Sequence, residues 1–196
     1  MLSLTEREAI KHLMEQEIVP AMGCTEPIAV SLCVAKAAEL LEHRPEKIDV
    51  FLSSNITKNA MGVGIPGTKM IGLPIAIALG ALIGKSEYDL EVLRDFDTDD
   101  LEEAKHYIAE DRINIAVKEN PPHNLYIEVV CYAKNSEVKT IICGAHTFFS
   151  HIEKDGNVLL SKKFEEVNTE DVEVSLNLRK VFDFAHETPI EDLNFI

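Results

Sequence analysis

The feature that most constrains the fold is an uninterrupted apolar stretch from Met70 to Gly84, fifteen residues without a charge. A helix rises about 1.5 Å per residue, so this stretch is too short to cross a bilayer core about 30 Å thick. Pro74 suits the first turn of a helix, where its missing N–H costs nothing. The stretch therefore predicts a helix buried on all sides by other apolar elements, and we expect no membrane partner.

Composition excludes two classes of protein. Among 196 residues, 46% are hydrophobic, which is enough to bury a core and rules out global disorder. The net charge of -15 repels nucleic acid, so we expect none as a partner. Residues 1–85 hold 9 acids and 8 bases, whereas residues 86–196 hold 25 and 11. The dense acidic run over residues 87–111 is interpreted as a solvated helical surface rather than an acidic docking face.

The N-terminus and the cysteines indicate a cytoplasmic protein. The first 17 residues are charged and amphipathic and lack the apolar core of a signal peptide. No two of the four cysteines form a C-x-x-C pair, which excludes a zinc ribbon and favours reduced thiols.

Hydrophobic periodicity predicts an α+β protein. We expect a mainly helical core with a glycine-rich loop and a small antiparallel-sheet α+β insertion. The expected helices are residues 4–17, 28–43, 72–84, 88–110 and 169–186, and the expected strands are 47–52, 113–117, 124–133, 138–143 and 147–153, with a hairpin turn at 154–157.

These elements suggest three segments. Residues 1–88 are expected to form a first, mainly helical domain, and residues 89–165 an inserted small α+β domain. Residues 166–196 are expected to return to the first domain as a helix.

Residues 53–70, SSNITKNAMGVGIPGTKM, are expected to form a polar and then glycine-rich loop, for which three interpretations compete. Gly62 to Gly67 matches the dinucleotide pattern G-x-G-x-x-G, but the preceding strand ends too early and Pro66 removes a donor. A phosphate-binding P-loop would need G-K-[ST], and the order here is G-T-K. The third interpretation is a turn that needs only permissive backbone angles.

Polar side chains around this loop favour a binding site. Asn55, Lys58, Asn59 and Thr68 surround backbone that glycine leaves open, just before the N-terminus of the apolar helix. Helix N-termini favour anions, so a small carboxylate is a plausible ligand.

Cys24 is the cysteine that local sequence makes most reactive. Thr25 or Glu26 stands where a helix N-cap belongs, which places Cys24 at a helix N-terminus and predicts a lowered thiol pKa. Cys33 is interpreted as core packing. His146 and His151, on a predicted strand, are interpreted as structural or surface residues, with an active-site position as the alternative.

Three segments together resemble a known family. PAMGCTEPIAVSLC (20–33), SNITKNAMGVGIPGT (54–68) and GLPIAIALGAL (72–82) are similar to the N-terminal half of the iron–sulfur L-cysteine desulfidase family, relatives of the L-serine dehydratase α chain that work without pyridoxal phosphate. GAHTFFSHIEKDGNVL (144–159) is similar to the family's hairpin, although Phe148 stands where the family has Asn.

The resemblance implies an amino-acid lyase, with residues 1–88 as the N-terminal part of its catalytic domain. The family catalyses α,β-elimination, which converts L-cysteine or L-serine to pyruvate, ammonia and sulfide or water. A [4Fe-4S] cluster with one open iron acts as a Lewis acid on the leaving group.

The resemblance also implies roles for individual residues. Cys24 would be a cluster ligand or, as the lesser alternative, the general base at Cα, with Thr25 and Glu26 beside the cluster. The residues that would hold the substrate's carboxylate and amino group are Asn55, Lys58, Asn59, Gly67 and Thr68.

Family members are much longer, and their other cluster cysteines lie in a C-terminal half. We therefore expect this chain to be an N-terminal fragment or one subunit of a split enzyme, inactive and without the cluster by itself. Its expected partners are a small amino acid, the missing half or a partner chain, and a second copy of itself. The alternative is a non-catalytic amino-acid-binding or regulatory module.

Overall fold

The computed structural model describes residues 2–165 and 175–196. The helices of the described residues are α1 (Leu4–Glu17), α2 (Thr25–Leu41), α3 (Ser54–Ala60), α4 (Leu73–Ile83), α5 (Thr98–Ala109) and α6 (Leu178–Glu187). The strands are β1 (Lys47–Leu52), β2 (Gly64–Ile65), β3 (Met70–Ile71), β4 (Ile113–Val117), β5 (Tyr126–Ala133), β6 (Ser136–Cys143), β7 (Phe149–Lys154) and β8 (Asn157–Ser161). This mixture of helices and strands confirms the predicted α+β class.

The chain divides into two compact units. One runs from Ala21 to Phe164 and contains α2 to α5 and all the strands named above. The other combines α1 with the described residues that follow Phe164, including α6.

A six-stranded sheet forms one layer of the larger unit, in the order β4-β1-β5-β6-β7-β8. Strand β1 runs parallel to β4 and antiparallel to β5, and the remaining neighbours are antiparallel. Val50 lies between Ile115 of β4 and Val129 of β5, so the register aligns apolar residues on one face. A separate two-stranded hairpin joins β2 to β3.

The sheet corrects two expectations from the sequence. It is mixed and six-stranded rather than small and antiparallel, because β1 inserts between β4 and β5. The division expected at residue 88 therefore separates strands that pair in one sheet. Residues 54–60, expected to be loop, form α3, and residues 166–174, at the start of the expected third segment, lie outside the described residues.

Helices α2 and α4 form the centre of the core and confirm the buried helix predicted over residues 72–84. Eight residues of α4 are buried, and α2 packs against α4 on one side and against β5 and β6 on the other. The two helices approach closely at Gly80, where an added Cβ would lie 2.6 Å from the backbone oxygen of Ser31. The Ser31 hydroxyl donates to the Ala76 carbonyl at 2.9 Å, which satisfies a polar group inside this contact.

Cys33 lies at the contact between α2 and the sheet. The Thr140 hydroxyl of β6 donates to the Cys33 carbonyl at 2.8 Å, and its oxygen lies 3.3 Å from the Cys33 sulfur. Burial raises the pKa of this thiol to about 12. The predicted role of Cys33 in core packing agrees with this environment.

The smaller unit has a much smaller core. Leu2, Ile10 and Phe184 are its buried apolar residues among those described. Charged contacts supplement them, since Lys180 pairs with Glu6 at 3.0 Å and Arg7 with Glu187 at 3.4 Å.

A search for membrane-spanning helices among the described residues found none with the length and apolar character required.

The α2–α4 contact predicts that Gly80→Ala destabilises the protein. Alanine ordinarily stabilises a helix by about 1 kcal/mol relative to glycine. Overpacking a core, however, costs about 1–3 kcal/mol. The cost is high at Gly80 because the atom that the new Cβ would meet is a backbone oxygen of Ser31, which cannot rotate away as a side chain can. We expect urea denaturation to show a net loss of about 1 kcal/mol or more. Gly62→Ala, where an added Cβ meets nothing within 4 Å, is the control, and a gain in stability for Gly80→Ala would contradict the packing.

Candidate functional site

A sharp turn brings the chain to the start of α2. The Met22 N–H donates to the Leu90 carbonyl at 2.9 Å, and Gly23 then adopts a φ of +81°. A Cβ at Gly23 would lie 2.9 Å from Pro66 Cγ. The glycine therefore permits both the left-handed backbone and the close approach of the turn to the glycine loop.

Glu26 is the centre of the site. Its Oε2 accepts from the Cys24 thiol at 2.9 Å and from the Thr25 hydroxyl at 3.4 Å. Its Oε1 accepts from Asn59 Nδ2 at 3.2 Å. The structure thus brings together Cys24, Thr25, Glu26 and Asn59, four of the residues predicted from the sequence.

These contacts shift the pKa values of the thiol and the carboxyl in opposite directions. Burial, followed by the hydrogen bond to Glu26, raises the pKa of Cys24. The same hydrogen bond from Cys24, followed by that from Asn59, lowers the pKa of Glu26 against the opposing effect of burial. At neutral pH the pair is therefore a neutral thiol donating to a carboxylate.

The direction of the Cys24 shift corrects the sequence expectation. Cys24 is the N-cap of α2, as predicted, but its side chain caps no backbone N–H. Partial burial and an adjacent carboxylate both disfavour the thiolate, and they outweigh the favourable dipole of the helix.

Helix α3 presents the other polar side chains. Ser53 caps its N-terminus by accepting from the Ile56 N–H, and the Ser53 hydroxyl donates to the Asn124 carbonyl at 2.6 Å. Helical spacing places Asn55, Lys58 and Asn59 on one face. Asn55 and Lys58 are exposed, so they are free to meet a ligand beside the Asn59–Glu26 contact.

The last two predicted binding residues build the turn between β2 and β3. The Thr68 hydroxyl donates to the Ile65 carbonyl at 2.7 Å and accepts from the Met70 N–H at 3.0 Å. Gly67 has a φ of +79°, and a Cβ there would lie 2.8 Å from Phe96 Cζ. Both residues shape the loop, and the hydroxyl of Thr68 is already committed to it, which favours the turn interpretation of the glycine motif.

His146 joins the site from the loop between β6 and β7. Glu26 interacts electrostatically with this imidazole, while burial lowers its pKa. Gly144 fixes the start of the loop with a φ of +88° and an N–H that donates to the Leu125 carbonyl at 3.0 Å. The interaction of His146 with Glu26 arises only when β6 packs against α2, so the sequence favours a structural or surface role for His146 over an active-site position.

His151 lies elsewhere in the sheet. Its Nε2 is 3.0 Å from Glu153 Oε2 on the same strand, which fits the structural interpretation.

The described residues do not form a complete site for a [4Fe-4S] cluster. They contain no group of three or more His, Cys, Asp or Glu side chains arranged to hold a metal. Cys33 and Cys131 are buried, and Cys143 is a partly buried residue at the end of β6. Cys24 is likewise partly buried, so these two thiols are the more accessible of the four.

No protein-family profile matches the chain. The chain is similar to UPF0597 proteins. The match to one from Bacteroides thetaiotaomicron is 56% identical over 193 residues, and it covers 98% of this chain and 45% of the relative. A relative from Porphyromonas gingivalis is 43% identical, and the match covers 100% of this chain and 47% of the relative. One from Clostridium perfringens is 40% identical, and the match covers 97% of this chain and 44% of the relative. The chain thus spans about half the length of the curated relatives it matches.

The Cys24–Glu26 pair predicts the reactivity of the thiol. Glu26→Gln removes the negative charge that disfavours the thiolate, so the pKa of Cys24 should fall and its alkylation by iodoacetamide at pH 8 should accelerate about threefold to tenfold, since one pKa unit changes the thiolate fraction about tenfold. Mass spectrometry of the Cys24 peptide across a pH series measures this.

The control for this experiment is Glu119→Gln, an exposed carboxylate in the loop after β4, which should leave the rate unchanged. A slower reaction in Glu26→Gln would show that Glu26 assists the thiolate instead.

Proposed function

We propose that this chain forms the amino-acid-binding part of a cytoplasmic lyase that eliminates sulfide from L-cysteine, or water from L-serine, without pyridoxal phosphate. The observation that carries the proposal is the hydrogen-bonded cluster of Glu26 with Cys24 and Asn59, formed where α2, α3 and the glycine loop meet. The resemblance of these segments to the L-cysteine desulfidase family supplies the reaction.

The site has the charges that a zwitterion requires. The Glu26 carboxylate, held ionised by its donors, is the partner for the substrate ammonium. Lys58, with Asn55 one turn earlier on the same face of α3, is the partner for the carboxylate. Hydrogen bonds to charged groups contribute about 1.5–3 kcal/mol each, so this pair of contacts selects an α-amino acid over a simple amine or acid.

The elimination breaks the Cα–H and Cβ–S (or Cβ–O) bonds of the substrate. The electron pair of the Cα–H bond forms the Cα–Cβ double bond, and the leaving group departs with the electron pair of its bond to Cβ. The proton released from Cα balances the charge of the leaving group, so that the net products are aminoacrylate and hydrogen sulfide or water. The resulting aminoacrylate tautomerises and hydrolyses to pyruvate and ammonia. Residues of this chain bind and orient the substrate, and because they do not complete a cluster site we assign no step to a cluster here.

A second candidate function is a non-catalytic amino-acid-binding or regulatory module. The observation that favours it is the neutral state of the Cys24 thiol, whose raised pKa suits neither a ready base nor a nucleophile. Both candidates require the same ligand contacts, so binding supports each and turnover separates them.

The binding site predicts selectivity for a zwitterion. Isothermal titration of this chain should show L-cysteine and L-serine binding, and 3-mercaptopropionate and cysteamine binding at least about tenfold more weakly, because each analogue loses one charged contact worth about 1.4 kcal/mol or more. Glu26→Gln and Lys58→Gln should each weaken L-serine binding by a similar factor. Glu119→Gln and Lys162→Gln, both exposed outside the site, are matched controls, and equal affinity for all four ligands would reject the site.

The lyase proposal is tested with a chimera in which this chain replaces the matched 193-residue region of the Bacteroides thetaiotaomicron relative. After anaerobic iron–sulfur reconstitution, we expect pyruvate release from L-cysteine or L-serine, with sulfide from L-cysteine. The resemblance makes Cys24 a cluster ligand or the base at Cα, so on the lyase proposal Cys24→Ala should lower the rate about 100-fold or more. Cys143→Ala, a thiol on β6, is the control. Binding without turnover in the reconstituted chimera would favour the binding module.

A further inference from the structure

Exposed apolar residues are concentrated in the smaller unit. Among the described residues, fourteen large hydrophobic side chains are exposed, and nine of these belong to α1, α6 and their adjoining segments. This unit is much the smaller of the two. Exposed apolar residues that share one face, unlike singly scattered ones, mark an interaction site.

Helix α6 carries the centre of this surface. Leu178, Val181, Phe182 and Ala185 follow the i, i+3, i+4, i+7 spacing of one helical face, and all four are exposed. Leu178 is 90% exposed, Val181 51% and Phe182 57%. We call these four residues the α6 apolar face.

Another part of the α6 surface packs within the smaller unit. Phe184 packs with Leu2 and Ile10, and Lys180 pairs with Glu6 of the N-terminal segment. Helix α1 therefore packs on one side of α6, while the α6 apolar face stays exposed. Most helical stability in proteins comes from tertiary packing of an apolar face, and the described residues of this unit bury three apolar side chains.

We propose that the α6 apolar face docks the polypeptide that makes up the other half of the relatives' length, through an apolar surface on that polypeptide. The matches cover 98–100% of this chain but 45–47% of the relatives from Bacteroides thetaiotaomicron and Porphyromonas gingivalis. More than half of each relative therefore lies outside the matched region, and the exposed α6 apolar face is the surface that we assign to it. The inference uses packing alone and does not depend on the amino-acid chemistry proposed above.

Hydroxyl-radical footprinting read by mass spectrometry tests this on the chain and on the chimera. Oxidation of Phe182 should fall about fivefold or more in the chimera, because a side chain at an interface core is removed from solvent. Leu159 on β8, equally exposed at 56%, should oxidise alike in both. Buried Tyr107 should stay protected in both, which shows that the chimera is folded. Equal oxidation of Phe182 in a folded chimera would overturn the proposal.

A second measurement uses the chain alone and therefore tests the proposal even when the chimera does not fold. Light scattering of the chain alone should give the 21.9 kDa monomer. A dimer that Phe182→Glu dissociates and Leu159→Glu does not would assign the face to a second copy of this chain and overturn the proposal. A monomer that becomes less prone to aggregate in Phe182→Glu, with Leu159→Glu unchanged, supports a face that awaits a different partner. Neither experiment measures pyruvate release, so failure of the lyase proposal would not contradict the docking proposal.

Discussion

The position of the site depends on how α2 is buried. This helix packs on α4 at the Gly80–Ser31 contact and on the sheet through Cys33 and Thr140. Both contacts involve backbone atoms, so α2 cannot slide or rotate without losing them. Its N-terminus emerges beside the glycine loop and carries Cys24 and Glu26 with it. The geometry of the polar cluster is therefore set by apolar packing more than a full turn away.

The sequence predicted the features that depend on local chemistry. An uncharged apolar stretch gave the buried α4, and Pro27 in the first turn of α2 located Cys24 at its start. The glycine loop was identified as an unusual backbone, and its positive φ at Gly67 agrees. Each of these follows from residues within a few positions of one another, which is the range over which propensity and capping act.

What the sequence could not predict comes from contacts between distant segments. Glu26 and Asn59 are 33 positions apart, and their hydrogen bond exists because α3 folds back toward α2. Strand β1 was expected outside the later sheet, yet it pairs with both β4 and β5. The pKa of Cys24 was expected to fall, and it rises because burial and Glu26 act against the helix dipole. His146 reaches the site by the same kind of long-range packing.

The hydrogen bonds of Glu26 leave it able to bind a ligand. An ionised carboxylate has about four lone-pair positions, and the described contacts supply three donors: Cys24, Thr25 and Asn59. The ammonium group of the amino acid that we propose as the ligand would take the remaining position while the site keeps its shape. The donors thus preorganise the carboxylate as well as ionise it, which lowers the cost of ordering it when a ligand binds.

The acidity of the chain bears on partners but not on this site. Residues 1–85, which contain most of the cluster, are almost balanced in charge, whereas the excess of carboxylates falls after residue 85. At physiological ionic strength, exposed charges more than about 8 Å apart are largely screened. A free amino acid is also a zwitterion with no net charge for a distant field to attract or repel. Recognition of the amino acid that we propose as the ligand therefore depends on short-range contacts with Glu26 and the face of α3, whereas the surface charge disfavours polyanionic partners.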